Sequence, residues 1–254
     1  MTDQTLRHTI LITGASSGLG RGMAREFAAR GRHLALCARR LDRLTALRDE
    51  LTAAHPGIRV VIKALDVLDY DTVFAVFRAL DEELGGFDRI IVNAGLGKGQ
   101  PLGTGYFYAN RQTAETNFVG ALAQFEAAME LFRARRRGHL VAISSISALR
   151  GMPRNLTTYA ASKAALSALA EGLRAELGPH STIRVSTILP GYIRSEINEK
   201  VKHTPFMIDT ETGCRLLARA IEREPVKAIV PAWPWIPLGW LIRHLPLHWV
   251  ARLF

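Results

Sequence analysis

Cysteine is nearly absent from this 254-residue chain: Cys37 and Cys214 are the only two. Two cysteines cannot build a disulfide framework, and no Cys/His cluster has zinc spacing, so no metal is expected and a stapled secreted scaffold is excluded. Tryptophan is missing from the first 232 residues; all four (Trp233, Trp235, Trp240 and Trp249) fall in the last 22. Acid is missing from Val226 to Phe254, which carries three Lys/Arg, while the other 225 residues carry +7 of the total +10. Such an excess suggests an anionic partner without identifying it. The segment Met1 to Arg7 lacks the apolar core of a signal peptide, so secretion is not expected. No internal repeat or low-complexity linker divides the chain. A composition of 48% hydrophobic and 22% charged residues excludes disordered and collagen-like classes. A chain of this length, one large domain or at most two small ones, buries about three quarters of its unfolded surface.

What is present is a regular alternation. Apolar runs at 8–13, 33–38, 58–65, 88–93, 139–144, 183–188 and 227–230 read as strands. Between them, residues 18–30, 41–54, 71–84, 109–135, 158–177 and 210–224 read as helices. The strands are unbroken runs of Val, Ile and Leu, as expected where helices cover both faces of a parallel sheet. The expected fold is α/β: a single-domain, doubly wound Rossmann-type sheet of about seven strands over 1–232, with an apolar C-terminal extension over 233–254. The glycine-bearing interval 95–105 and the stretch 190–205 read as the long loops.

The first strand runs into TGASSGLG, Thr13 to Gly20. Gly14 permits a sharp exit, and Gly18 and Gly20 let the backbone and the helix start approach a pyrophosphate. The helix N-terminus adds free N–H groups and partial positive charge. An NAD site usually has an acid at the end of the second strand, about 20 residues on. This chain has Ala38, then Arg39 and Arg40. Alanine cannot bond ribose hydroxyls, and a guanidinium can hold a 2′-phosphate. The reading is NADP(H), with Arg39 the main clamp and Arg40 better explained as a solvated helix start.

Tyr159 and Lys163 stand four apart in YAASK, on one helix face. A free tyrosine has a pKa of about 10, and a nearby ammonium favours the phenolate and lowers it. Ser145, 14 residues earlier, ends a buried strand and can hydrogen-bond a substrate oxygen while the tyrosine exchanges a proton with it. Ser144 and Ser147 compete for that role, with Ser144 expected to face the strand interior. Asn117 in TNFVG sits inside a helical stretch, where Asn is a poor choice; a polar task and helix capping are both open.

These motifs, with LDV (65–67), VNAG (92–95) and PGYIRS (190–195), make the chain resemble the short-chain dehydrogenase/reductase family over about residues 8–195. The resemblance implies Tyr159 as general acid/base and Lys163 as the holder of the nicotinamide ribose. It implies Ser145 as the carbonyl-orienting hydroxyl and Asn117 as part of a proton relay. Gly14, Ser16, Ser17, Gly18, Leu19 and Gly20 would form the phosphate turn. Asp66 and Val67 would flank the adenine, and Asn93, Ala94 and Gly95 would line the cofactor. Pro190, Gly191, Ile193 and Ser195 would sit against the nicotinamide. The Ser145–Tyr159 spacing is one residue longer than the family's usual one, with the extra residue placed in 150–158. The implied reaction is hydride transfer between NADP(H) and a carbonyl or alcohol, with a homodimer or homotetramer formed through 109–135 and 158–177. Apolar residues in the covering loops (Leu102, Tyr106, Phe107, Met152, Leu156, Tyr192, Phe206, Met207) point to a hydrophobic substrate, or simply pack those loops on the body.

The tail has fifteen uncharged residues from Ala228 to Ile242, interrupted by Pro231, Pro234 and Pro237. About 20 apolar residues are needed to span a bilayer, and proline breaks a helix, so no membrane span is expected. Two readings stay open: an interfacial segment with tryptophans at the headgroup level and Arg243 and Arg252 toward anionic lipid, or packing over the pocket or onto a second subunit, with the subunit slightly ahead. A cytoplasmic protein, with or without contact to the inner face of a membrane, is expected. The run Arg133, Arg135, Arg136 and Arg137 ends a helix, where cations suit the dipole; it lacks a reading motif for nucleic acid, which is not expected as a partner. A coenzyme-binding regulator without catalysis is the remaining alternative, against which the set Asn117, Ser145, Tyr159 and Lys163 stands.

Overall fold

The computed structural model describes residues 6–196 and 206–253. Seven strands form one parallel sheet: β1 Thr9–Thr13, β2 His33–Ala38, β3 Val60–Ala64, β4 Arg89–Val92, β5 Gly138–Ile143, β6 Ile183–Pro190 and β7 Lys227–Val230. Their order is β3-β2-β1-β4-β5-β6-β7. The order reverses between β1 and β4, which places the crevice of a doubly wound sheet beyond the ends of those two strands.

Helices cover both faces because the strands are apolar on both. On one face α1 (Gly18–Ala28), α2 (Leu41–Ala54) and α7 (Thr210–Glu222) bury Met23, Phe27, Leu47 and Leu217 against Ile10 and Ile12. On the other, α3 (Tyr70–Leu84) and α5 (Gly120–Arg135) bury Phe77 and Phe132 against Leu11 and Leu140, and α6 (Thr157–Leu177) adds Leu166. The run read as one helix over 109–135 is α4 (Phe107–Ala114), a π-helical turn (Glu115–Val119) and α5 in succession.

The ends of the sheet opposite the crevice are stitched by buried polar groups. Arg89 Nε donates to His139 Nδ1 at 2.8 Å, and His139 Nε2 lies 2.8 Å from Ser186 Oγ. Arg89 also bonds Glu224, which Arg7 meets at 2.7 Å. Burial, reinforced by Arg89, holds the His139 pKa well below the usual histidine range. Both cysteines are buried free thiols. Two of the four arginines in the run pair locally: Arg135 with Asp81, and Arg133 with Glu176 at 2.5 Å.

The tail departs from expectation. It is helical, as α8 (Ala232–His244) and α9 (Leu247–Leu253), despite its prolines. Trp233 is non-helical and kinks α8, so the regular helix restarts at Pro234. Pro234 and Pro237 then fall within its first four positions, whose N–H groups have no intrahelical partner anyway. Two short 3₁₀ turns, Ile146–Leu149 and Arg154–Leu156, receive this tail. Gly239 lies so close to Leu149 that a Cβ would stand 2.8 Å from its Cδ1. Val250 packs with Met152 and Ala160. Arg150 Nη1 closes the C-terminus of α8, donating to the carbonyls of Ile242 (3.2 Å), Arg243 (2.9 Å) and Leu245.

Candidate active site

A cleft of about 1070 Å³ opens beyond the strand ends at the β1/β4 reversal. Its floor is the turn between β1 and α1. Thr13 ties this floor to β4: its Oγ1 accepts the Asn93 and Ala94 N–H groups at 3.1 and 3.2 Å, and its carbonyl accepts Asn93 Nδ2 at 2.9 Å. Gly14 has φ +65°, and a Cβ there would stand 2.9 Å from Ala94 Cα. Gly18, at φ +51°, is also left-handed. Gly14, Ser16, Ser17, Gly18 and Leu19 line the cleft. Gly20 does not. It is buried, and a Cβ there would lie 2.4 Å from the Gly14 carbonyl oxygen. Its smallness serves the packing of α1 onto the turn instead of the approach to a ligand. The first turn of α1 has no acid of its own, and its positive end faces the cleft.

Arg39 and Arg40 both reach this rim. Arg40 is the anchored one: it donates to Ser16 Oγ from Nε and Nη2 at 3.2 Å each and to Ser17 Oγ at 2.8 Å. Arg39, expected as the main clamp, is the more exposed of the two. Arg40 and Arg43 together grip the Glu196 carboxylate at 3.0 and 2.5 Å. Burial pushes the Glu196 carboxyl up, and hydrogen bonds from Arg40, Ser17 and Arg43 more than reverse this, holding it at about 2. Asp66 and Val67 form the adjoining wall, where Asp66 Oδ1 accepts the Leu68 N–H at 3.1 Å.

Ser145, Tyr159 and Lys163 meet at the other end. Lys163 is buried, with Nζ 2.9 Å from the Ile143 carbonyl at the tip of β5. Burial lowers its pKa to about 8. Ser144 turns inward as expected, donating to the Lys163 carbonyl at 2.9 Å. Ser145 hydrogen-bonds Tyr159, so the extra residue in 150–158 does not part them. That bond tends to lower the Tyr159 pKa, but burial outweighs it and the net shift is upward. The lowering expected from Lys163 does not prevail in this arrangement. Tyr192 lies near enough to Tyr159 to feel its charge, and its own pKa is raised mainly by burial.

Asn117 lies behind the cleft wall. The π-helical turn carries it, fully buried, to the start of the glycine loop. Its Oδ1 accepts the Leu96 N–H at 2.7 Å, and its Nδ2 donates to the Leu96 carbonyl at 2.9 Å and to Ser162 Oγ at 3.1 Å. The side chain caps no helix; it clamps the loop to α6. Asn93, Ala94, Gly95, Pro190, Gly191, Ile193 and Ser195 complete the lining. Gly191 also makes room for Trp235, whose Nε1 would stand 2.3 Å from a Cβ. Residues 197–205 of the covering loop lie outside the described residues, as does the side chain of Arg252.

Sequence reasoning misses several residues in or beside the cleft. Arg43 carries a usable signal, since i+3 from Arg40 on a helix shares its face. Glu196 carries none, because its partners lie more than 150 residues away. Gln100, Asn155 and Leu96 line the catalytic end and come from loops without a motif.

Residues 8–205 match the family described as short chain dehydrogenase. An uncharacterized oxidoreductase of Mycobacterium tuberculosis is 54% identical over 246 residues, covering 97% of each chain. A short chain dehydrogenase/reductase from Burkholderia phymatum, solved in complex with NAD, superposes with TM-score 0.81 at 22% identity, over 96% of this chain and 95% of that one. An alcohol dehydrogenase from Thermococcus sibiricus, solved with 5-hydroxy-NADP, gives TM-score 0.76 at 24% identity, over 88% and 95%. The chain belongs to the short-chain dehydrogenase/reductase family of oxidoreductases.

The Asn117 clamp has a direct consequence. Asn117→Ala removes both hydrogen bonds to the part-buried Leu96 backbone, a loss of about 1 kcal/mol for each. Hydrogen exchange should show the Leu96 amide speeding up well beyond the amides of β4. Unchanged protection at Leu96 contradicts the clamp.

Proposed function

We propose that this short-chain dehydrogenase/reductase transfers hydride between NADP(H) and the carbonyl or secondary alcohol carbon of an apolar small molecule. The observation that carries the reading is the placement of Ser145, Tyr159 and Lys163 at one end of a single cleft whose other end holds an arginine–serine cluster.

The residues present fit the coenzyme. The Gly14–Gly18 turn and the open start of α1 suit a pyrophosphate. Arg39, Arg40, Ser16 and Ser17 suit a 2′-phosphate, and the Glu196 carboxylate already bonded to this cluster supports its affinity for anionic oxygens. No acid stands at Ala38 to favour the ribose hydroxyls of NAD. Asp66 and Val67 would border the adenine; Asn93 to Gly95 and Pro190 to Ser195 would flank the nicotinamide. When bound, the coenzyme supplies or accepts the hydride.

The chain's own residues handle the proton and the orientation. Lys163 has three donor hydrogens, and the Ile143 carbonyl takes one, which leaves two for ribose hydroxyls. Its ammonium, carried one helical turn from Tyr159, would offset negative charge forming on the phenol oxygen. Tyr159, kept protonated by burial, is in the form that donates to a carbonyl oxygen during reduction and must be restored afterwards. Ser145 positions that oxygen, and Asn117 fixes the loop wall behind it. Leu96, Leu156 and Tyr192 at this end favour an apolar substrate. Self-association through the outer faces of α4–α5 and α6 suits the exposed Tyr106, Phe107 and Tyr108 at the start of α4. Among the described residues no helix is long and apolar enough to cross a membrane.

Coenzyme oxidation against a panel of ketones and aldehydes graded in apolarity tests the reading. NADPH should be used at least about tenfold better than NADH, with Arg40→Ala narrowing the gap by 1–3 kcal/mol as lost charged hydrogen bonds do, roughly. Equal use of the two coenzymes contradicts the arginine assignment. Tyr159→Phe should lower turnover on the order of 100-fold or more and leave NADPH binding intact by fluorescence titration. Near-parent turnover in that variant removes Tyr159 from the chemistry.

A further inference from the structure

The C-terminal helices have two apolar faces, and the body covers only one. Inward, Trp235, Ile242 and Val250 are buried, with Trp235 edge-on to Tyr192 at 5.2 Å between ring centroids. Outward, Trp233, Trp240 and Trp249 are 79%, 65% and 54% exposed, joined by Ile236, Leu241 and Leu247. A helix that is apolar all round is one that something buries. The three outward tryptophans alone present on the order of 400 Å² of surface, taking about 200 Å² per side chain. That is a patch of the size that marks an interaction site.

Charge decides among the occupants. The segment from Val226 to Phe254 has Lys227, Arg243 and Arg252, and two histidines among its aromatics, and no acid. A two-fold contact between copies sets the same patch against itself. It would bring the exposed Arg243 of each copy onto one shared surface with no carboxylate of the segment to pair it. An anionic bilayer surface has the opposite charge, and tryptophan is the side chain that settles at the headgroup level. The helices are too short to span: 13 residues in α8 and 7 in α9.

We propose that the outward face of α8 and α9 docks this protein on the surface of an anionic lipid bilayer. The helices lie in the interfacial plane with Trp233, Trp240 and Trp249 inserted and Arg243 toward lipid phosphate. Arg150 holds the helical segment in this pose from the body side, through its bonds to the α8 carbonyls. Because Trp235 backs Tyr192 in the cleft wall, the bilayer lies about one helix diameter, roughly 10 Å, from the catalytic end. This inference does not depend on the choice of coenzyme or substrate.

All four tryptophans of the chain belong to this segment, so indole fluorescence reads it with no contribution from the body. Full-length protein is titrated with vesicles of phosphatidylcholine alone, and of phosphatidylcholine with phosphatidylglycerol, each with and without brominated acyl chains. On the anionic vesicles the emission should shift to the blue and be quenched by bromine, the protein should float with them, and high salt should weaken both effects. Trp233→Ala/Trp240→Ala/Trp249→Ala should weaken binding by about tenfold or more. If that variant does not fold, the parent's bromine quenching still decides. Unchanged emission with no flotation overturns the proposal. So does equal partition into uncharged vesicles, or a dimer in sedimentation that the triple variant dissociates, which would assign the face to a second copy.

Discussion

The contact between Lys163 Nζ and the Ile143 carbonyl is the constraint on which the site depends. It places a cation inside the protein with a neutral oxygen as its hydrogen-bond partner. Burying such a group is costly unless its hydrogens are used, and burial brings its pKa to about 8. The contact fixes α6 to the tip of β5, with Ser144 bonding the Lys163 backbone from the same strand end. One turn earlier on α6 stands Tyr159, and two residues beyond Ile143 stands Ser145. The three groups proposed to carry the chemistry are thus set by one strand–helix junction. The parallel sheet aligns that junction with the glycine turn of β1 and the arginines after β2.

Much of this geometry is legible in the sequence, and the reasons differ by element. The residues of β2, α2 and β7 are recovered to the last position, because short apolar runs and a longer helical stretch are set apart by abrupt polar or proline boundaries. Tyr159 and Lys163 are legible because four residues make one helical turn. The glycine turn is legible because φ above zero at Gly14 and Gly18 demands glycine. The role of Gly20 is not, since only the folded turn reveals that its Cβ would strike the Gly14 carbonyl.

What escapes the sequence depends on register or on distance along the chain. The π-helical turn at Glu115–Val119 adds a residue to the helical count and swings Asn117 toward Leu96; helical periodicity reads straight across it. The direction of the Tyr159 shift is set by burial from several elements together, a quantity that the Tyr–Lys spacing does not carry. The Glu196 bond to Arg40 joins remote segments. The helical tail is obscured by its prolines, whose positions in a first turn become visible only once the kink at Trp233 is known.

The central claim is that a buried, cationic Lys163 beside a protonated Tyr159 drives carbonyl reduction. Lys163 is charged below its pKa and neutral above it, so the cationic form is lost as pH rises through about 8. The pH dependence of kcat/KM for NADPH-dependent carbonyl reduction reports the essential groups of the free enzyme and is the most direct test. The account predicts a rate that is level below that pH and declines through it. A rate that is level across it, or that rises, would contradict the account.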